Sequence, residues 1–117
     1  MPTRFVILHH RLADSEHWDL MLEYGDILLT WQLPRVPTGR ESLPMLARRI
    51  ADHRTDYLDY EGPVSGNRGM VNRIERGLAE ILERGDTLCR FILSSPKFRG
   101  CYLLERDESG EWTLCAD

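Results

Sequence analysis

The chain has 117 residues, 42% hydrophobic and 29% charged, and these are ordinary values for a soluble globular protein. That length allows one core and one domain, residues 1–117, and excludes a disordered chain or a disulfide-dense miniature. The net charge of −4 removes the basic surface that nonspecific nucleic-acid binding rests on, and no apolar run approaches the roughly 18 residues of a membrane span.

The first residues, Met1 to His9, lack the long apolar segment of a signal peptide, so a cytoplasmic protein without membrane contact is expected. Residues 4–9 form a short apolar run that reads as a strand. Residues 17–24 and 27–32 flank Gly25-Asp26, and two apolar-rich runs around such a pair predict a hairpin. Residues 33–39 hold two prolines and a glycine and read as a loop.

The middle is ambiguous. Residues 42–53 fit a helix, with Ser42 as N-cap and Pro44 in the first turn. Residues 70–84 also carry helical spacing in Val71, Ile74, Leu78, Ile81 and Leu82. Strands return at 88–93, 101–106 and 112–115, so the pattern taken alone is a mixed protein dominated by antiparallel sheet. Cys89, Cys101 and Cys115 are odd in number and form no Cys-x-x-Cys pair, which points to reduced thiols.

Three groups carry chemistry. On a strand, residues i and i+2 share a face, so His17 and Asp19 aim an imidazole and a carboxylate at one point. His9 and His10 end the preceding strand on opposite faces, and one of them can join that pair. Two nitrogens and an oxygen suit a divalent transition metal. The second group is His53 with Tyr57 in the segment Asp52-His53-Arg54-Thr55-Asp56-Tyr57. The third is arginine placement. Lys97 is the only lysine, and Arg35, Arg48, Arg49 and the glycine-flanked Arg68 are candidate phosphate contacts, whereas Arg54 reads as solvated.

The order of these motifs resembles the 3′-phosphoesterase domain of bacterial DNA ligase D and its stand-alone relatives. Phe5-Val6-Ile7-Leu8-His9-His10, then His17-Trp18-Asp19-Leu20-Met21-Leu22-Glu23, look like that family's Phe-Val-x-x-x-His and His-Tyr-Asp-Phe-Arg-Leu-Glu. Gly25 to Arg35 resembles its Gly-x-Leu-x-x-Trp-x-x-Pro-Lys, and Asp52 to Gly62 its Asp-His-Pro-x-Asp-Tyr-x-x-Phe-Glu-Gly. Lys97 to Arg106 and Glu111 to Leu114 resemble its closing strands.

The resemblance implies a mainly β fold, a compact antiparallel β-barrel with few short helices. It turns residues 46–52 and 70–75 into strands and leaves a helix open for 78–84. The core it implies contains Phe5, Ile7, Leu20, Leu22, Leu28, Trp31, Phe91 and Leu103. It further implies a Mn2+-dependent enzyme, with Zn2+ as the alternative ion, that removes a 3′-phosphate or a terminal ribonucleotide from DNA. His10, His17 and Asp19 would hold the metal, His53 and Tyr57 would be catalytic, and Arg35 stands where the family has a phosphate-contacting lysine; Arg48, with Arg49 as its alternative, would substitute for the arginine lost at Met45, and Arg68 from the residue reading completes the phosphate-binding candidates. The implied partners are DNA 3′ ends and end-joining repair proteins. Met21 and Met45 stand where the family carries arginines, and the gap from His10 to His17 is one residue longer. The alternative is therefore a catalytically weakened relative that binds metal, nucleic-acid ends or a repair partner.

Overall fold

A computed structural model describes residues 2–117. The strands are β1 (Thr3–Arg11), β2 (Glu16–Tyr24), β3 (Ile27–Leu33), β4 (Met45–Arg54), β5 (Gly62–Pro63), β6 (Met70–Arg84), β7 (Leu88–Ser94), β8 (Arg99–Arg106) and β9 (Trp112–Ala116). The antiparallel order is β1-β2-β3-β4-β9-β8-β7-β6, and pairing of β1 with β6 closes it into an eight-stranded barrel, with the short β5 added alongside β6. Closure removes the unpaired edges that an open sheet would expose. Two 3-10 turns, Arg40–Ser42 and Thr55–Leu58, are the only helical elements among the described residues. Among those residues no helix is long and apolar enough to cross a membrane.

The helical readings of the middle are overturned. Residues 42–53 hold a 3-10 turn and then β4, and residues 78–84 continue the 15-residue strand β6. Periodicity misleads in β6 because its register against β7 shifts between Ile81 and Glu83, so side chains slip off a strict alternation. Gly77 also interrupts the pattern. A Cβ there would lie 2.2 Å from the Ser94 carbonyl oxygen, so the close approach of β6 to the end of β7 requires glycine.

Two apolar clusters hold the fold. The barrel interior contains Phe5, Ile7, Leu20, Leu22, Leu29, Trp31, Phe91, Tyr102 and Leu104 among others. Leu103 is not part of it. Tyr102 and Leu104 point inward, and alternation turns the Leu103 between them outward to partial burial. Leu28 is buried, but in the second cluster, with Val6, Leu8, Met21, Leu58 and Val71. That cluster lies on the outer face of the barrel, since Val6 and Leu8 alternate with the inward Phe5 and Ile7. The segment between β4 and β6 folds over it, and Leu58, Tyr57 and Val64 supply the cover.

Candidate metal centre

The cover and the β1–β2 hairpin make the site between them. His10 and His17 are direct partners across β1 and β2. Alternation places His10, His17, Asp19 and Met21 on the outer face with Val6 and Leu8. His9 takes the opposite face, stacks on Trp18 at 4.7 Å between ring centroids, and donates from Nε2 to Glu16 Oε1 at 2.6 Å. His10 is thus the histidine that meets the His17–Asp19 pair.

Ligand atoms of His10, His17 and Asp19 all lie within 4.8 Å of one another. His10 Nδ1 is 3.1 Å from His17 Nε2, and His17 Nε2 is 3.3 Å from Asp19 Oδ1. Ligands about 2.1 Å from one ion and at ordinary coordination angles sit about 3.0–3.4 Å apart. Hydrogen bonding sets the tautomers. His10 Nε2 lies 2.7 Å from the Arg68 carbonyl oxygen, which only accepts, so Nε2 carries the proton and Nδ1 presents its lone pair. Gln32 Nε2, a donor, lies 3.4 Å from His17 Nε2, a contact that suits the tautomer with its lone pair on that atom. Asp19 is 3% exposed, and its Oδ1 is buried without a hydrogen bond among the described residues. In that tautomer two imidazole lone pairs and a buried carboxylate oxygen converge on one point, so the residues present fit a divalent metal.

The loop over this point needs glycine. Gly69 has a φ of +87°, and a Cβ there would meet the Arg11 carbonyl oxygen at 2.1 Å. That close passage over the end of β1 delivers the Arg68 carbonyl to His10.

Beside the three ligand candidates is a cavity of about 330 Å3, lined by His10, Asp19, Met21, Asp52, His53, Arg54, Tyr57, Val64, Arg68 and Val71. His53 reaches this wall through a bulge. Gln32 pairs with Arg48 and Thr30 with Ile50, but Leu28 pairs with His53, so β4 carries one extra residue there. Unbroken alternation from Arg48 would turn His53 inward, and the extra residue turns it out to the cavity. His53 Nδ1–H donates to the Ala51 carbonyl at 2.9 Å, which leaves Nε2 for a ligand, and the Tyr57 ring meets the imidazole edge-on at 5.6 Å between centroids.

The arginines divide. Arg68 lines the cavity, although its side chain bonds Ser65. Arg48 lies on the far side of His17, in a second and larger groove. Arg35 lines neither space and donates to the Ser42 and Pro44 carbonyls at 2.9 and 3.2 Å. Residue-by-residue reading passed over Asp52, the lining position of Arg54, and Gln32. The last was accessible, because a two-residue turn at Gly25-Asp26 pairs Tyr24 with Ile27 and so Asp19 with Gln32.

Comparison with known proteins agrees with the geometry. Residues 9–106 match the family described as the DNA Ligase D 3′-phosphoesterase domain. The chain belongs to this family. It is 30% identical over 125 residues to the multifunctional non-homologous end joining protein LigD of Pseudomonas aeruginosa, an alignment covering 95% of this chain and 14% of that protein. It is 35% identical over 66 residues to the multifunctional non-homologous end joining DNA repair protein LigD of Mycobacterium tuberculosis, covering 56% of this chain and 9% of that protein. The chain thus spans a small part of the length of these relatives. Membership supports a phosphoesterase role in DNA end repair.

Proposed function

We propose that this protein is a metal-dependent phosphoesterase that trims DNA 3′ ends, removing a 3′-phosphate or a 3′-terminal ribonucleotide, in the cytoplasm and beside end-joining repair proteins. The observation that carries the reading is the orphaned Asp19 Oδ1 facing two imidazole lone pairs, on the same wall as His53 and Tyr57. His10, His17 and Asp19 would hold the ion, with Mn2+ the expected metal and Zn2+ the alternative. When bound, the ion supplies Lewis-acid stabilisation of charge on phosphoryl oxygens.

The chain's own residues do the rest. His53 hydrogen-bonds a phosphoryl oxygen or protonates the leaving oxygen, and it donates from Nε2 only as the imidazolium, because Nδ1–H is already engaged with Ala51. Tyr57 supplies a hydroxyl on the same side. Arg68 and Arg48 flank the centre as cations for the substrate's phosphates, and Arg35 serves only if its loop releases it.

The test is a 3′-end trimming assay on a primer–template carrying either a 3′-phosphate or a 3′-ribonucleotide, with and without Mn2+. Turnover that needs the metal is the expected result, and inactivity on both substrates overturns the reading. One observation favours a second reading, a weakened relative that binds metal and ends without cleaving them. Met21 is buried at the cavity wall and puts an apolar side chain where a phosphate would need a donor. Metal-dependent binding of the same DNA without turnover would select it.

A further inference from the structure

A larger groove opens on the other side of His17. Strand β4 pairs with β9 only over Met45–Ala47, and beyond Ala47 it pairs with β3 alone, so the barrel wall parts between β4 and the opposite turns. The opening has a volume of about 860 Å3. Arg48 forms one lip, and Arg84 with Asp86 and Arg106 with Glu111 form the other. Trp31 and Trp112 lie at its floor.

Two features point to an anionic occupant. Arg49 and Arg84 are already engaged. Arg49 donates to the Ile50 carbonyl at 2.6 Å and to Asp52 at 2.8 Å and lies over Trp31, while Arg84 lies over the Tyr24 ring. Arg48 and Arg106 differ. Among the described residues neither guanidinium has a hydrogen bond or an ion pair, so each has its full fork of donors available. The two acids, Asp86 and Glu111, sit on one lip only.

Register ties this groove to the metal centre. Asp19 pairs with Gln32 and Gln32 pairs with Arg48, so the three outer-face residues form one row across β2, β3 and β4. Two strand spacings put Arg48 about 10 Å from Asp19. His17 belongs to both the metal cluster and the groove lining. A chain of phosphates leaving the metal centre along that row meets Arg48, and Arg106 lines the same groove across the seam. The volume lies within the roughly 300–1,000 Å3 of small-ligand sites, room for a short stretch of one strand and too little for a duplex.

We propose that this open seam of the barrel is a second nucleic-acid subsite that takes a single-stranded DNA segment, its phosphates held between Arg48 and Arg106. The direction of the strand rests on the phosphoesterase reading, but the binding does not. In a protein of net charge −4, this seam rather than the overall field attracts the strand.

The test is fluorescence anisotropy of a labelled oligodeoxythymidylate with the full chain in EDTA, across a salt series. The wild type is expected to bind with a negative salt slope. Arg48→Gln/Arg106→Gln is expected to bind at least about tenfold more weakly and to flatten the slope by about 1.4, two phosphate contacts at about 0.7 each on a single strand. Glu111→Gln removes an acid whose side chain makes no hydrogen bond among the described residues, and it is expected to tighten binding, a gain that misfolding cannot mimic. Unlabelled duplex and thymidine monophosphate are expected to compete poorly. Equal affinity and slope in wild type and double variant overturn the proposal, as does a mononucleotide that competes as well as the strand. Because no turnover is measured, strand binding with no trimming activity would defeat the phosphoesterase reading alone, and trimming activity without EDTA-resistant binding would defeat the groove alone.

Discussion

The two apolar clusters differ in what seals them. The interior cluster around Phe91 and Tyr102 is enclosed by the barrel wall, and every strand of the closed sheet contributes to its seal. The outer cluster around Leu8, Met21 and Leu28 is sealed from one side only, by Leu58 and its neighbours in the β4–β6 connection. One cluster makes the fold and the other makes the site, because the same connection carries Tyr57 and Arg68 to the cavity beside Asp19. A local seal is easier to open than a closed wall, so fold and site should fail separately.

The strongest way to break that comparison is to excavate both clusters. Phe91→Ala empties the barrel interior and is expected to lower unfolding free energy by about 3–5 kcal/mol in urea titration. Leu58→Ala is expected to lower it by about 2 kcal/mol, at the bottom of the leucine range, because its surroundings can relax toward solvent. Its mark should be rapid proteolysis within residues 55–69. Equal losses, with cleavage spread over the chain, would show that the two clusters are one cooperative unit.

Next in size is Asp19→Asn, which keeps the shape of a buried side chain and removes its charge. Metal-stimulated turnover is expected to fall by about 10³-fold, equivalent to about 4 kcal/mol. Calorimetric titration with Mn2+ should show no binding, while the melting temperature stays within a few degrees. Unchanged metal affinity would exclude the three-residue centre.

A smaller effect separates two neighbours on the bulged strand. His53→Ala is expected to slow turnover by about 10²-fold, the lower end for loss of a general acid. Arg54→Ala, exposed at the same cavity, is expected to stay within twofold. Similar effects of both substitutions would remove His53 from the chemistry.

The smallest concerns how the cover is tied down. Arg4 on β1 donates to Asp59 at 2.7 Å, just beyond the Thr55–Leu58 turn. That hydrogen bond holds the Asp59 carboxyl below its ordinary value of 3.8. A depressed folded-state pKa means the tie is fully present above pH 3.8 and lost as pH falls through the lowered value. Hydrogen exchange in residues 55–62 is therefore expected to quicken at low pH before exchange in β7 and β8 does. Asp59→Asn should produce the same slight quickening at neutral pH. The pair is exposed, so global stability should barely move.

Much of the hairpin half was legible because its rules are local. Alternation in β1 and β2, with the two-residue turn at Gly25-Asp26, is enough to set His17 and Asp19 on one face. The middle was not. Residues 42–53 and 70–84 carry spacing that serves a helix as well as a bulged, half-buried strand, and the family resemblance rather than periodicity turned most of it into sheet. The misplacement of Leu103 has the same origin, a run of apolar residues in which only the neighbouring strands decide which side is inside.

By itself, then, the sequence determined the chemistry at hand: two imidazoles and a carboxylate in hairpin spacing, a histidine–tyrosine pair, and arginines in place of lysines. Only the tertiary structure decided which of them meet. Alternation left His9 and His10 as equal claimants, and the pairing of β1 with β2 chose His10. The bulge in β4 turned His53 outward to the cavity, whereas Arg35 was drawn into the carbonyls of its own loop. Residue type and local spacing are properties of the chain, but the face a side chain takes in a closed barrel depends on register with strands far away in sequence, and one extra residue reverses it.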